Sequence, residues 1–186
     1  TNPEILKYLV PGYGFGGSCF YKDLNAIVSL GKTVRSPMRI IKSVLKVNQN
    51  QPNIVDKILK KELKNFKNKK VLILGLSFKP DTDDVRESPS LKIIKNLIKK
   101  GVKVFAHDPK AIKNFKNAMG NMKTKVHFVK KWTTLINKVK IIIIVTPWEE
   151  YLKLTNYNIK NKLIIDARLV LNKKYFLNNN YITHRK

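Results

Sequence analysis

"KVLILGLSFKPDTDDVRESPSLKIIKNLIKKGVKVFAHD", Lys70 to Asp108, decides the fold class. It opens on an unbroken apolar run, Val71 to Leu74, which is too short for a helix and reads as a strand buried on both faces. Ser88 is placed to cap a following helix, Pro89 suits its first turn, and Gly101 ends it. "VKVFAHD" then reads as a second strand. Strand, helix and strand at this spacing form a parallel βαβ unit.

Downstream the alternation continues. "KVHFV" is a candidate third strand, and "KIIIIVT" and "KLIIDA" are clear ones, so an open, mostly parallel α/β sheet is expected. Trp132 and Trp148 are expected to pack against it, while the closing "LNNNYITHRK" is assigned no element. Ligands of such sheets bind beyond the carboxyl ends of the strands, at the crossover of strand order. That rule singles out Phe78 and Lys79, His107 and Asp108, Thr146 and Pro147, and Asp166 and Arg168.

The first strand ends at a single Gly75 with no glycine-rich phosphate turn, so this sheet is not expected to hold a dinucleotide. The loop that follows is acidic in a lysine-rich chain: Asp81, Asp83, Asp84 and Glu87 surround Arg86. Either it is a polar loop capping a helix, or Lys79 and Arg86 grip phosphate or carboxylate groups while the acids hold them in place. With no histidine or cysteine nearby, a metal site is not expected.

Upstream, Pro37 suits the first turn of a helix with Ile40, Ile41, Val44, Leu45 and Val47 on one face. Pro52 interrupts it, and Ile54, Val55, Ile58, Leu59 and Leu63 carry the pattern on as a connector. Before it stands "PGYGFGGSCFYKD", Pro11 to Asp23, with four of the eight glycines and the single cysteine. Gly12, Gly14 and Gly17 match a dinucleotide fingerprint nominally, but the acid expected about twenty residues on is missing. Ser18 stands where a P-loop needs lysine. The glycines instead run into a helix start, with Ser18 as the expected N-cap, an apolar face of Leu24, Ile27, Val28 and Phe20, and Gly31 as the expected stop. A cysteine at a helix N-terminus is favoured as thiolate. Lys22 adds positive charge, and Asp23 lies on the same helical face as Cys19. Nucleophile, cation and carboxylate together suit covalent catalysis, the alternative being a buried structural cysteine.

The formal net charge is +26, but the cations are lysines spread over every segment, with only Arg35, Arg39, Arg86, Arg168 and Arg185 as arginines. A solvated lysine surface explains this better than a nucleic-acid footprint, so no specific nucleic-acid partner is expected. One cysteine excludes an internal disulfide and fits a reducing compartment such as the cytoplasm. No apolar run approaches the ~20 residues of a membrane span. His107, His127 and His184 show no triad or ligand spacing.

The two unusual stretches together resemble the UDP-glucose/GDP-mannose dehydrogenase family. "PGYGFGGSCFYKD" is similar to its catalytic-cysteine motif, and "GLSFKPDTDDVRESPS" to the motif of its sugar-nucleotide-binding domain. "HDPKA", "VTPWEEY" and "IIDAR" follow in family order. The resemblance implies a remnant of the central helical region over residues 1–66 and a Rossmann-like, UDP-sugar-binding α/β domain over 67–186. It implies NAD as cofactor, a nucleotide sugar as substrate, a homodimer, and Cys19 and Asp23 as catalytic residues. Val10, Pro11, Gly12, Tyr13, Gly14, Phe15, Gly16, Phe78, Lys79 and Arg168 would contact substrate, with Lys22 and Arg86 toward NAD. The family's N-terminal dinucleotide-binding domain is not in this sequence, so the chain alone is expected to lack cofactor affinity and turnover. Where family members carry an intersubunit arginine upstream of the cysteine, Pro3 stands here. The base and sugar are left open between UDP-glucose, UDP-N-acetyl sugars and GDP-mannose, as is a nucleotide-sugar-binding module without chemistry.

Overall fold

The computed structural model describes residues 9–172, 174 and 180–183. Pro3 and His184 therefore lie outside the described residues. Three helices come first: α1 (Ser18–Thr33), α2 (Arg39–Asn50) and, after a 3-10 turn at Gln51–Asn53, α3 (Ile54–Glu62). Then follow β1 (Lys70–Leu74), α4 (Pro89–Lys99), β2 (Lys103–His107), α5 (Ile112–Met119), β3 (Val126–Phe128), β4 (Ile141–Ile144), β5 (Leu163–Asp166) and β6 (Asn180–Thr183). The six strands form one sheet in the order β3-β2-β1-β4-β5-β6. Every pairing is parallel, with Val71 beside Val104 on one side and Ile141 on the other. This is the Rossmann-like order, with its reversal between β1 and β4.

Period-2 alternation assigns the apolar runs to two cores. Val71, Ile73, Ile141 and Ile143 face α3 and α4, where Val55, Leu59, Ile93, Ile94 and Leu97 meet them. Leu72, Leu74, Ile142 and Ile144 face Trp132, Leu135, Ile136, Trp148, Tyr151 and Leu154. Both tryptophans thus pack on the sheet as expected. The second face is covered by 3-10 segments, Trp132–Lys138 and Glu149–Asn156, rather than α-helices.

Ser88 caps α4 as expected, accepting a hydrogen bond from the Ser90 N–H, and Gly101 follows the helix at φ +73°. Four expectations are corrected. Gly17, not Ser18, is the N-cap of α1, and no side chain caps that helix. Gly31 lies inside α1, where its missing Cβ leaves room for Met38. Met38 takes a left-handed φ of +43°, closing the turn between α1 and α2, so α2 starts at Arg39 and Pro37 stays outside it. The C-terminal stretch supplies β6, an edge strand whose Ile182 packs on the core. The apolar faces expected for α1 and α2 also differ in cover: Leu24 and Leu45 are buried, but Phe20, Ile27, Ile40 and Val47 are exposed.

Asp108, at the end of β2, joins the carboxyl ends of three strands. Its Oδ2 accepts from the N–H groups of Leu76 (2.7 Å) and Ser77 (3.0 Å), the Ser77 hydroxyl (3.1 Å) and Trp148 Nε1 (3.1 Å). Its Oδ1 accepts from the N–H groups of Lys110 (2.9 Å) and Ala111 (2.8 Å). Beside it, buried His107 has Nδ1 3.1 Å from the Tyr151 hydroxyl and 3.4 Å from Glu150 Oε1. Burial lowers the His107 pKa, opposed by Glu150 and Asp108. The folded state therefore refuses a proton that the unfolded chain accepts near pH ~6.5, and stability falls as pH drops through that value. Urea midpoints measured at pH 7.5 and 5.5 should differ less in His107→Gln than in the parent chain; an equal difference in both contradicts this.

Candidate active site

The glycine loop and the head of α1 dock onto the loop that follows β1. The Gly17 N–H donates to the Arg86 carbonyl oxygen at 2.8 Å. Gly17 sits at φ +89°, and a Cβ there would lie 2.9 Å from the Phe78 ring; a Cβ on Gly16 would lie as close to the Phe78 Cβ. Any side chain at Gly17 would meet both a disfavoured φ and the ring. Glycine is thus used here to seat the helix start against Phe78, and the next residues, Ser18 and Cys19, emerge at that seam. Cys19 is exposed, with Sγ 3.7 Å from the Ser18 hydroxyl.

Lys22 lies three positions along α1 from Cys19, and Arg86 lies in the loop onto which Gly17 docks. Lys22 pairs with Asp23 at 3.1 Å, and both are open to solvent. Arg86 forms a fork with Asp84: Nη2 lies 2.7 Å from Oδ2 and Nε 3.0 Å from Oδ1. Arg86 holds the Asp84 carboxyl below its ordinary pKa, mainly through these hydrogen bonds. Lys22 is raised chiefly by its hydrogen bond with Asp23, and Arg86 by that with Asp84; charge on Cys19 adds a smaller upward contribution to each. Lys79 is exposed, with its ammonium 5.6 Å from the Phe78 ring centroid.

The rest of the glycine loop is tied to the protein on both sides. Asn48 of α2 accepts from the Phe15 N–H at 2.7 Å and donates to the Phe15 carbonyl oxygen at 3.1 Å. Tyr13 is buried, and that burial, with a smaller contribution from Asp166, raises its phenol pKa. Gly12 faces Arg168, whose Nη1 would lie 2.8 Å from a Cβ there. The structure thus brings Gly12 to Gly17, Phe78, Arg86, Cys19 and Arg168 to the carboxyl edge of the sheet. A cleft of about 460 Å³ opens beside this loop, lined by Gly14, Phe15, Asn48, Glu87, Lys92 and Lys95 among others; Cys19, Lys79 and Arg168 do not line it.

Asp108 and Asp166, singled out by the sheet rule, are spent on backbone donors rather than offered to a ligand. Asn48 and Tyr181 were not singled out. Asn48 sits on a solvent-patterned stretch of α2, and Tyr181 lies in a polar tail, so neither carries a local signal. Among the described residues, no cluster of three or more His, Cys, Asp or Glu side chains is arranged to hold a metal, and no helix is long and apolar enough to cross a membrane.

Strand order and docked cysteine helix define the class first: a Rossmann-like parallel α/β sheet with a helical segment on its carboxyl edge. Residues 72–173 match the model of the UDP-glucose/GDP-mannose dehydrogenase family's UDP-binding domain, and residues 1–50 match that of the family's central domain. The chain belongs to this family. It is 39% identical over 171 residues to a UDP-glucose 6-dehydrogenase of Rickettsia conorii, covering 89% of this chain and 39% of the relative. With the UDP-glucose 6-dehydrogenase TuaD of Bacillus subtilis it shares 34% identity over 183 residues, covering 96% of this chain and 39% of the relative. A UDP-glucose dehydrogenase structure from Pyrobaculum islandicum superimposes with a TM-score of 0.78 at 36% identity, covering 88% of this chain and 36% of that one. A GDP-mannose dehydrogenase of Pseudomonas aeruginosa, at 23% identity, shares the fold with a TM-score of 0.78, covering 94% of this chain and 41% of that one. The chain thus spans about 39% of the length of the curated relatives it matches.

Proposed function

We propose that this chain is the sugar-nucleotide-binding, cysteine-bearing part of an NAD-dependent nucleotide-sugar 6-dehydrogenase that oxidises the C6 alcohol of UDP-glucose to the carboxylate. The observation that carries it is the docking of the Cys19 helix start onto the Phe78–Arg86 loop, which joins a nucleophile to the edge where such sheets bind ligands. The names of the relatives support the choice of UDP-glucose.

In this reading the loop from Val10 to Gly16 lines the sugar nucleotide, with Pro11, Gly12, Tyr13, Gly14 and Phe15 shaping it. Phe78, Lys79 and Arg168 hold the nucleotide sugar, cations meeting phosphate oxygens. Cys19 adds to the C6 aldehyde of the substrate as a thiohemiacetal. Loss of a hydride from that carbon leaves a thioester, and water then adds while the thiolate leaves. Asp23 orients that water. NAD, when bound, would supply the hydride acceptor, one molecule for the alcohol-to-aldehyde step and a second for the thiohemiacetal-to-thioester step. Lys22 and Arg86, each fixed by a carboxylate beside Cys19, suit a dinucleotide's diphosphate. The Leu76 and Ser77 N–H groups after β1 do not serve that purpose, because Asp108 occupies them. The family resemblance extends the reading to a homodimer in the cytoplasm.

Thermal unfolding of the chain with UDP-glucose, UDP-N-acetylglucosamine and GDP-mannose tests this. A ligand at 100 times its Kd adds about 2.7 kcal/mol. For a chain of this size that raises Tm by roughly 5–10 °C. UDP-glucose should give the largest rise; no rise with any nucleotide sugar overturns the assignment.

A further inference from the structure

Asp166 ends β5 fully buried. Its Oδ1 accepts from the Arg168 N–H at 3.0 Å and its Oδ2 from the Leu171 N–H at 2.9 Å. These bonds close a tight turn in which Leu169 is held at a left-handed φ of +54°. Such a turn in a non-glycine residue persists only where its surroundings impose it. The imposing group comes from β6. The Tyr181 hydroxyl lies 2.9 Å from Asp166 Oδ2 and 2.8 Å from the Leu171 carbonyl oxygen, so it closes the turn from outside. Burial and Asp166 raise the Tyr181 pKa.

On its inner side the same turn carries Arg168 against the glycine loop. The guanidinium lies so close to Gly12 that a Cβ there would sit 2.8 Å from Nη1 and 2.9 Å from Cδ. Arg168 Nε is buried and has no hydrogen-bond partner among the described residues. Burial lowers the Arg168 pKa, with Asp166 opposing. A guanidinium whose Nε is unpaired takes its direction from the backbone turn that carries it and from the wall it packs on.

We infer that Tyr181 is a positioning residue that aims Arg168 at the glycine loop, and, on the reading given above, at the anionic part of a nucleotide sugar. The hydroxyl acts through Asp166 and the 166–171 turn and touches no ligand. It links the outermost strand of the sheet to the loop that Gly12 begins.

Tyr181→Phe keeps the ring and removes the hydroxyl. Two measurements on the full chain decide the matter. The first needs no ligand: hydrogen exchange at Arg168 Nε in chain labelled with ¹⁵N-arginine should accelerate about tenfold once the turn is unclamped. The second is UDP-glucose affinity, which should weaken about tenfold, equal to about 1.4 kcal/mol. Arg168→Ala should abolish the effect of Tyr181→Phe, because groups acting in series are not additive. Unchanged exchange at Arg168, or full additivity in the double variant, overturns the inference. Loss of cooperative unfolding in Tyr181→Phe also overturns it, since that shows a global role rather than a local one. If the parent chain binds no nucleotide sugar, the functional reading fails, and the exchange measurement still decides whether Tyr181 sets Arg168.

Discussion

Asp108→Ala is expected to cost at least about 4–5 kcal/mol of unfolding free energy, a large fraction of the stability of an ordinary chain. The carboxyl group satisfies four backbone N–H groups, the Ser77 hydroxyl and the Trp148 indole. Leu76, Ser77, Ala111 and Trp148 are all buried, so water does not replace the lost acceptor. Each buried donor left without a partner costs about 1–3 kcal/mol. Relaxation of the loops recovers part of the sum, which is why the expected loss is less than that of five independent buried donors. Asp108→Asn keeps one acceptor oxygen in nearly the same place and should fall between the parent and Asp108→Ala. Urea denaturation measures all three. A midpoint for Asp108→Ala that implies a loss below about 1 kcal/mol contradicts the role given to this residue.

Cys19→Ser carries the largest expected effect on chemistry. In an enzyme assembled with the rest of the family's polypeptide, conversion of the C6 aldehyde to acid should fall by about a thousandfold or more, equal to about 4 kcal/mol of barrier. Serine occupies nearly the same volume at an exposed position, so stability and UDP-glucose affinity should not change. What changes is reactivity. A hydroxyl is a weaker nucleophile than a thiolate without a strong base, and an alkoxide is a poorer leaving group from the acyl carbon. The split between intact binding and lost oxidation separates a nucleophile from a structural cysteine. Acid formation by Cys19→Ser at the parent rate contradicts the assignment.

The sheet was legible where its physics is local. Val71–Leu74 and Ile141–Ile144 are buried on both faces, and such strands write themselves as continuous apolar runs. The Ser88–Pro89 start and the Gly101 stop of α4 are likewise local chemistry. β6 escaped notice because it is short, preceded by polar residues and paired along one edge only. Gly31 was misread because a glycine required by close packing, here against Met38, looks the same in sequence as one required by a helix end. At the site, the glycines, Cys19 and the acidic loop around Arg86 are visible as unusual local composition, and Phe78 as a strand-end residue. Asn48, pinning Phe15 from α2, and Tyr181, bracing Asp166 from β6, were not, because each acts across a gap in sequence that no periodicity spans. Asp108 drew notice as a strand-end residue, yet its work is internal: it holds together the turns on which the exposed residues stand.

The central claim is that Cys19 lies within bonding distance of a sugar C6 bound along the glycine loop, and the chain can test it without NAD. Iodoacetamide alkylation of Cys19 is to be timed alone, with UDP-glucose, and with the C6 aldehyde of UDP-glucose. Saturable protection by the aldehyde is expected, at least about tenfold stronger than by UDP-glucose, because a thiohemiacetal removes the thiolate from reaction. Alkylation at the same rate with saturating aldehyde as with saturating UDP-glucose would contradict it.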